Sequence, residues 1–315
     1  VTGALNCHGI SWPASDGTAA LALRTAAGDD RRIALEPGTR LGFRVLPGRW
    51  CLGHVLVHGV GERTSVPCPE ANQVAYGTQC ALCLSKDQSR AMHDFHRSGI
   101  ASPGLRAYLA QPHWLYVATF AHGVSKVGTA AQGSKWRRLA EQGAVAAQYV
   151  ALAPDGAIVR RLEDRVSERF GMVQGVRAKA KTAGLLGYLP QGSGADSNHP
   201  ARLNQIAVQL VAALLDQLYR AGELDFRPVA ESWVHPALAD PILELLGSGE
   251  MQPYPWEADH GRHGFTVCAV LGQGLLVRLD GSDLPFLLDA AALKGRRVEP
   301  GDFSTRIPVL QESLF

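Results

Sequence analysis

Cys80-Ala81-Leu82-Cys83 places two thiols two residues apart, the spacing at which one tight turn can aim both sulfurs at a single tetrahedral ion. Cys68 lies upstream between Pro67 and Pro69, and Cys51 lies further upstream, so the four make a sulfur set with a ribbon-like layout. Four sulfurs leave no open coordination position, and the expected ion is a structural zinc. His93 and His96 are reserve ligands should Cys51 instead be a buried strand residue. Ordinary buried cysteines, or a redox pair at Cys80 and Cys83, are the alternatives to metal. Cys7 and Cys268 have no partner pattern and are expected in the core.

A second set suits phosphate chemistry. Cleaving a phosphodiester needs a group that orients or deprotonates the attacking water, a cation on the phosphate, and usually a metal held by a carboxylate. Tyr116, Arg138 and Glu163 are of those three types, and Lys126 can hold a phosphate as a point charge. Downstream, Arg160, Arg161, Arg165 and Arg169 lie on one predicted helix, either as a solvated face or as a phosphate-binding one. Arg161, Arg165 and Arg169 are its candidate nucleic-acid contacts. Trp114 and Trp136 could stack on bases but suit a core better. His54, His58 and Ser65 have hydrolase residue types without a spacing that fixes their geometry.

The elements that would position these residues can be read from local patterns. Short apolar runs at Ala19 to Leu23, Arg32 to Leu35, Leu41 to Val45 and Leu52 to Val57 read as antiparallel strands. Gly59 to Gln111 is irregular and rich in Gly, Pro, Cys and His, as a metal-stapled segment would be, with Asp87 to Leu109 partly helical. Trp114 to Phe120 and Val124 to Ala130 read as a hairpin. Ser134 caps a helix over Lys135 to Gln142 that stops at Gly143. Tyr149 to Leu152 is a third strand. Asp155 caps a helix whose stripe is Val159, Leu162, Val166 and Phe170, ending at Gly171. After a Gly- and Ser-rich stretch from Gly187 to Asn198, Pro200 opens a long packing helix. Its stripe is Leu203, Ile206, Ala207, Leu210, Val211, Leu214, Leu215 and Leu218. Phe265 to Val298 returns to strands.

The expected fold is α+β, in four segments: a β-rich N-terminal unit (1–58), a zinc-binding segment (59–112, with Cys51), an α/β module (113–186), and a helical then β-rich C-terminal unit (187–315). The two β-rich ends are expected to pack together.

Leu115-Tyr116-Val117, Lys126-Val127-Gly128-Thr129, Arg138 to Ala144 and Arg161-Leu162-Glu163 resemble the centre of an uncharacterised family, domain of unknown function 2797. That family looks like a divergent relative of the GIY-YIG nucleases. The family resemblance covers most of the chain, including the upstream cysteines and Leu293 to Arg296, whereas the nuclease resemblance covers only Trp114 to Gly171. It implies a GIY-YIG-like core in which Tyr116 is the first motif tyrosine, Arg138 the helix arginine near the scissile phosphate, and Glu163 the metal-binding glutamate. Magnesium or manganese with oxygen ligands would suit that carboxylate. Lys126 stands where the nucleases carry a tyrosine, a departure that bears on hydrolysis.

Composition bounds the function classes. With 46% hydrophobic and 19% charged residues, the 315-residue chain has the make-up of a globular protein of two or three compact units. No run of about 18 apolar residues suggests a membrane span, and the N-terminus lacks an export pattern, so a cytoplasmic location is expected. Lys135 to Lys181 carries ten Lys or Arg against five acids, whereas Asp216 to Asp259 carries two against nine. The first region could attract a phosphate backbone and the second would repel it. The reading is a nucleic-acid-binding protein with the parts for metal-dependent phosphodiester cleavage. Its alternatives are a non-catalytic DNA- or RNA-binding zinc protein and an enzyme acting on a phosphate-bearing small molecule in the same pocket.

Overall fold

The structure is a computed structural model that describes residues 3–13, 17–189 and 199–307, so most of the Gly- and Ser-rich stretch before Pro200 lies outside the described residues. Strands β1 (Leu5–Ser11), β2 (Ala20–Arg24), β3 (Asp30–Ala34) and β4 (Arg40–Val45) open the chain. The period of two is plain in β4, where Leu41, Phe43 and Val45 are buried while Arg40 and Arg44 point to solvent. A hairpin of β5 (His54–Gly59) and β6 (Glu62–Val66) follows and pairs with no other strand among the described residues. Helices α1 (Ala81–Lys86), α2 (Phe95–Ser98) and α3 (Pro103–Leu109) complete this segment, with a 3-10 turn at Gln88–His93. Leu105 and Leu109 of α3 pack on Val57 of β5, which gives the hairpin a small core of its own.

The central elements are β7 (His113–Thr119), β8 (Ser125–Ala131), α4 (Lys135–Gln142), β9 (Ala146–Ala153), α5 (Gly156–Phe170), α6 (Ala178–Gly187), α7 (Pro200–Ala221) and β10 (Arg227–Ser232). Helix α5 begins where the Asp155 carboxylate accepts from the Ile158 amide, and both α4 and α5 end on left-handed glycines, Gly143 and Gly171. The four strands form an antiparallel sheet in the order β10-β9-β7-β8. Strand β7 is buried on both faces: Leu115 and Val117 face the apolar stripes of α5 and α7, while Trp114, Tyr116 and Ala118 face the opposite core. The module therefore runs past residue 186, because α7 covers its sheet and β10 supplies an edge strand. On α7 the buried stripe is narrower than its apolar residues, and Ile206 and Leu210 are exposed.

Helix α8 (Asp240–Glu244) and strands β11 (Gln252–Pro253), β12 (Gly261–Leu271), β13 (Gly274–Arg278), β14 (Pro285–Asp289) and β15 (Arg297–Pro300) close the chain. They pair with the N-terminal strands in one nine-stranded sheet, ordered β11-β14-β13-β12-β4-β15-β1-β2-β3, antiparallel except for β11 against β14. The two β-rich ends thus share a sheet and do not form separate cores. One face of this sheet, through Trp12, Phe265 and Leu275, packs on the Trp114 and Tyr116 face of the module. The result is a mixed α+β protein in which the module is held between a sheet on one side and helices on the other.

Candidate functional site

The ligand atoms of Cys51, Cys68, Cys80 and Cys83 all lie within 4.8 Å of one another, and the Cys68 and Cys80 sulfurs are 3.9 Å apart. Sulfurs bonded at about 2.3 Å to a tetrahedral ion stand about 3.8 Å apart, so the spacing fits a metal such as zinc. The backbone is folded to suit negative sulfur. The amides of Cys80 and Gly53 donate to Cys51 Sγ at 3.2 and 3.4 Å. Gly53 has φ of +81°, and a Cβ there would stand 1.8 Å from the Val66 carbonyl oxygen, so only glycine closes this turn. The Cys80 thiol is drawn down to about 6, chiefly by a hydrogen bond from the Cys83 backbone, whereas burial pushes Cys83 up. Cys7 is fully buried and Cys268 partly so, apart from this cluster. The reserve ligands are used elsewhere: His93 Nδ1 accepts from Arg160 at 3.2 Å, and His96 Nε2 sits 2.9 Å from the Asp164 carboxylate.

Apart from this cluster, with none of the four cysteines in its lining, is a cavity of about 430 Å³. The segment that the cysteines bracket contributes Arg63 and Ser65 from β6, and the 3-10 turn that follows Cys83 contributes His93. One face of α4 contributes Ser134, Arg137, Arg138 and Glu141, and the first turns of α5 supply Gly156 and Arg160. Four guanidinium groups from three separated segments therefore meet around one hollow. Two of them are matched by carboxylates: Arg160 bonds Glu163 at 2.5 Å and Arg137 lies 3.6 Å from Glu141. Arg63 and Arg138 are exposed, and among the described residues neither has an ion-pair partner. Arg63 instead lies over the Tyr108 ring at 4.4 Å.

The sequence-derived residues divide between the cavity and the buried interior. Arg138 lines the cavity, whereas Tyr116, Lys126 and Glu163 are buried and do not line it. Tyr116 and Lys126 share one face of the sheet, because Tyr116 pairs with Gly128 and Ala118 with Lys126. The phenol lies so close over β8 that a Cβ on Gly128 would meet its oxygen at 2.5 Å, and Gln142 of α4 donates to that oxygen at 2.7 Å. Burial raises the Tyr116 pKa, with Arg138 opposing and Glu163 reinforcing the shift. Burial pulls the Lys126 ammonium down to about 8, helped by Arg138 and Arg160 and countered by Glu163. Its Nζ donates to the Gln174 carbonyl at 3.2 Å. Burial raises the Glu163 pKa against the pull of Arg160 and Lys126. All four residues thus belong to one electrostatic neighbourhood.

A magnesium or manganese site at Glu163 does not emerge from this geometry. Its carboxylate is engaged by Arg160, and the four cysteines are the group of metal-binding side chains that gathers among the described residues. Arg161, Arg165 and Arg169 lie on the exposed face of α5, away from the cavity, with Arg165 at 3.6 Å from Glu223. Trp114 and Trp136 pack in or against the core and donate to Gln132 and the Val234 carbonyl. His58 contacts Thr64 and Ser65 accepts from Arg24, so His54, His58 and Ser65 are not assembled into a relay.

Sequence reasoning missed Arg63, Arg137 and Glu141 and considered His93 only as a reserve zinc ligand. Arg137 and Glu141 could have been found, since Ser134, Arg137, Arg138 and Glu141 recur at helical spacing on one face of the predicted helix. Arg160, three residues before Glu163, carries the same signal. No family model matches the chain, and neither does any curated protein or solved structure.

Proposed function

We propose that this protein binds nucleic acid by seating a phosphate group in the arginine-lined cavity, with a structural zinc on Cys51, Cys68, Cys80 and Cys83. The observation that carries the reading is the convergence of Arg63, Arg137, Arg138 and Arg160 on one hollow, with Arg63 and Arg138 left unmatched by carboxylate. Guanidinium groups are planar, permanently charged and suited to bidentate contact with phosphate oxygens. The zinc would close the loop segment that carries Arg63 and Ser65, and so hold one side of the cavity. The resemblance of the central residues to the GIY-YIG nucleases points to the same class of ligand, and the exposed Arg161, Arg165 and Arg169 stripe would add nonspecific attraction for a backbone.

A second reading, metal-dependent cleavage, is favoured by one observation: Tyr116, Lys126, Arg138 and Glu163 act on one another electrostatically. It requires Glu163 to exchange Arg160 for a divalent ion.

Binding of labelled single-stranded and duplex DNA and RNA, followed by anisotropy over a range of salt, tests the first reading. Affinity should fall steeply with salt. Arg138→Glu should remove most of it, and Arg161→Glu with Arg165→Glu should remove less. Absence of binding at low salt would refute the reading. Digestion with magnesium or manganese by wild type beside Glu163→Gln tests the second, since equal products from both would rule out Glu163 as the metal carboxylate.

A further inference from the structure

Resting on the nucleic-acid reading, we infer that the cavity recognises a terminal phosphate monoester, a chain end, in preference to an internal phosphodiester. The argument starts from charge. Of the four guanidinium groups in the cavity, Arg160 is matched by Glu163 and Arg137 by Glu141, so two positive charges remain, on Arg63 and Arg138. His93 adds none: its Nδ1 accepts from Arg160, and burial with Arg160, Arg138 and Lys126 nearby holds its pKa down. An internal phosphodiester carries a single negative charge and would leave one guanidinium unanswered. A phosphate monoester carries about −1.5 to −2 at neutral pH and three terminal oxygens, which answers both.

Shape agrees with charge. The hollow of about 430 Å³ is of small-ligand size. Apolar side chains, Val55, Met92 and Leu109, line it together with the Tyr108 ring, a surface suited to the sugar or base that carries the phosphate. Arg63 and Arg138 come from different segments, β6 and α4, that line the one cavity, so they can reach different oxygens of one group. The same chemistry is offered by a free nucleoside monophosphate, and the test separates the two sources.

The experiment uses the full-length, zinc-loaded protein and one short oligonucleotide sequence prepared with hydroxyl ends, with a 5′-phosphate and with a 3′-phosphate. The matching nucleoside monophosphate is a fourth ligand, and all compete against a labelled probe. One phosphorylated form should bind about tenfold or more tighter than the hydroxyl-ended form, as an extra charge at a partly desolvated site implies. Arg63→Gln and Arg138→Gln should each erase that preference while leaving salt-sensitive residual binding. Both residues are exposed, so these variants should keep the wild-type melting curve. Equal affinity for all three oligonucleotides would overturn this inference and leave the nucleic-acid reading standing. No binding of any form at low salt would overturn both. Nucleoside monophosphate binding as tightly as the phosphorylated oligonucleotide would support the monoester site and move its ligand to a free nucleotide.

Discussion

Replacing Lys126 by Met should make the unliganded protein more stable at neutral pH while weakening its hold on phosphate. The substitution keeps a long, unbranched side chain and removes a charge that is almost wholly buried. Burial comes first among the causes that pull this ammonium from 10.5 to about 8, Arg138 and Arg160 add to it, and Glu163 offsets them only in part. A shift of roughly two to three pH units at about 1.4 kcal/mol each sets the penalty for the charged form at about 3 kcal/mol. Against this stands the hydrogen bond from Nζ to the Gln174 carbonyl at 3.2 Å, worth about 1 kcal/mol. The long contact over the Tyr116 ring, at 5.7 Å, adds little. The net gain is expected to be about 2 kcal/mol. Its pH dependence is the sharper signature. Below about 8 the lysine is charged in both folded and unfolded protein, and the full penalty applies. Between about 8 and 10.5 the unfolded chain holds a proton that the folded protein has released, so wild-type stability rises with pH and the advantage of Lys126→Met shrinks. Urea unfolding of both proteins across this range isolates the group by difference. A variant less stable than wild type at pH 7, or an advantage that does not change up to pH 10.5, would refute the desolvation argument. A cation held at such a penalty makes sense where an anion is to be bound, since stability is commonly traded at functional sites.

Removing metal with a chelator should lower the melting temperature and weaken nucleic-acid binding together, because Arg63 hangs from the segment that the cysteines bracket; unchanged binding after verified zinc loss would contradict that link. Glu163→Gln should leave stability at neutral pH unchanged or slightly raised, because burial lifts the Glu163 pKa in spite of Arg160 and so the folded protein already disfavours the carboxylate; a clear loss of stability would contradict that balance. The substitution should also tighten phosphate binding, since Arg160 is released, and weaker binding in this variant would count against the charge assignment. Gly128→Ala should destabilise by about 1–3 kcal/mol, because the added methyl displaces the Tyr116 phenol. A melting curve identical to wild type would mean that the phenol does not rest on β8.

Much of the architecture was legible because its signals are local. The caps at Asp155 and the stops at Gly143 and Gly171 mark helix ends within a residue or two, and the hairpin of β7 and β8 shows in its apolar runs. The cysteine spacing works in the same way, since one turn fixes two sulfurs. Strand β1 escaped notice because Asn6 and His8 interrupt its apolar residues and its register shifts between Cys7 and Gly9. The exposed Ile206 and Leu210 show the limit of helical periodicity, which locates an apolar stripe but not how wide a neighbour covers it. The site was legible only in part for a different reason. Residue types suggested Tyr116, Lys126, Arg138 and Glu163, but their depth depends on how the nine-stranded sheet and α5 close around them. Arg63 comes from a loop-rich segment with no local signal of its own, and it reaches Arg138 only through the fold. Which arginine of α5 faces inward is likewise a matter of helix phase against the sheet: Arg160 turns to the cavity and Arg161 to solvent.

The central claim is that Arg63 and Arg138, brought together from separate segments, hold one phosphate between them. A double-mutant cycle of Arg63→Ala and Arg138→Ala, read by affinity for a phosphate-ended oligonucleotide at fixed low salt, tests this most directly. Each single change should weaken binding by about tenfold or more, as expected for a charge-assisted hydrogen bond. The double change should weaken it by clearly less than the product of the two, with a coupling of about 1 kcal/mol, because both act on the same group. Effects that multiply independently, or single variants that bind as wild type does, would contradict the account.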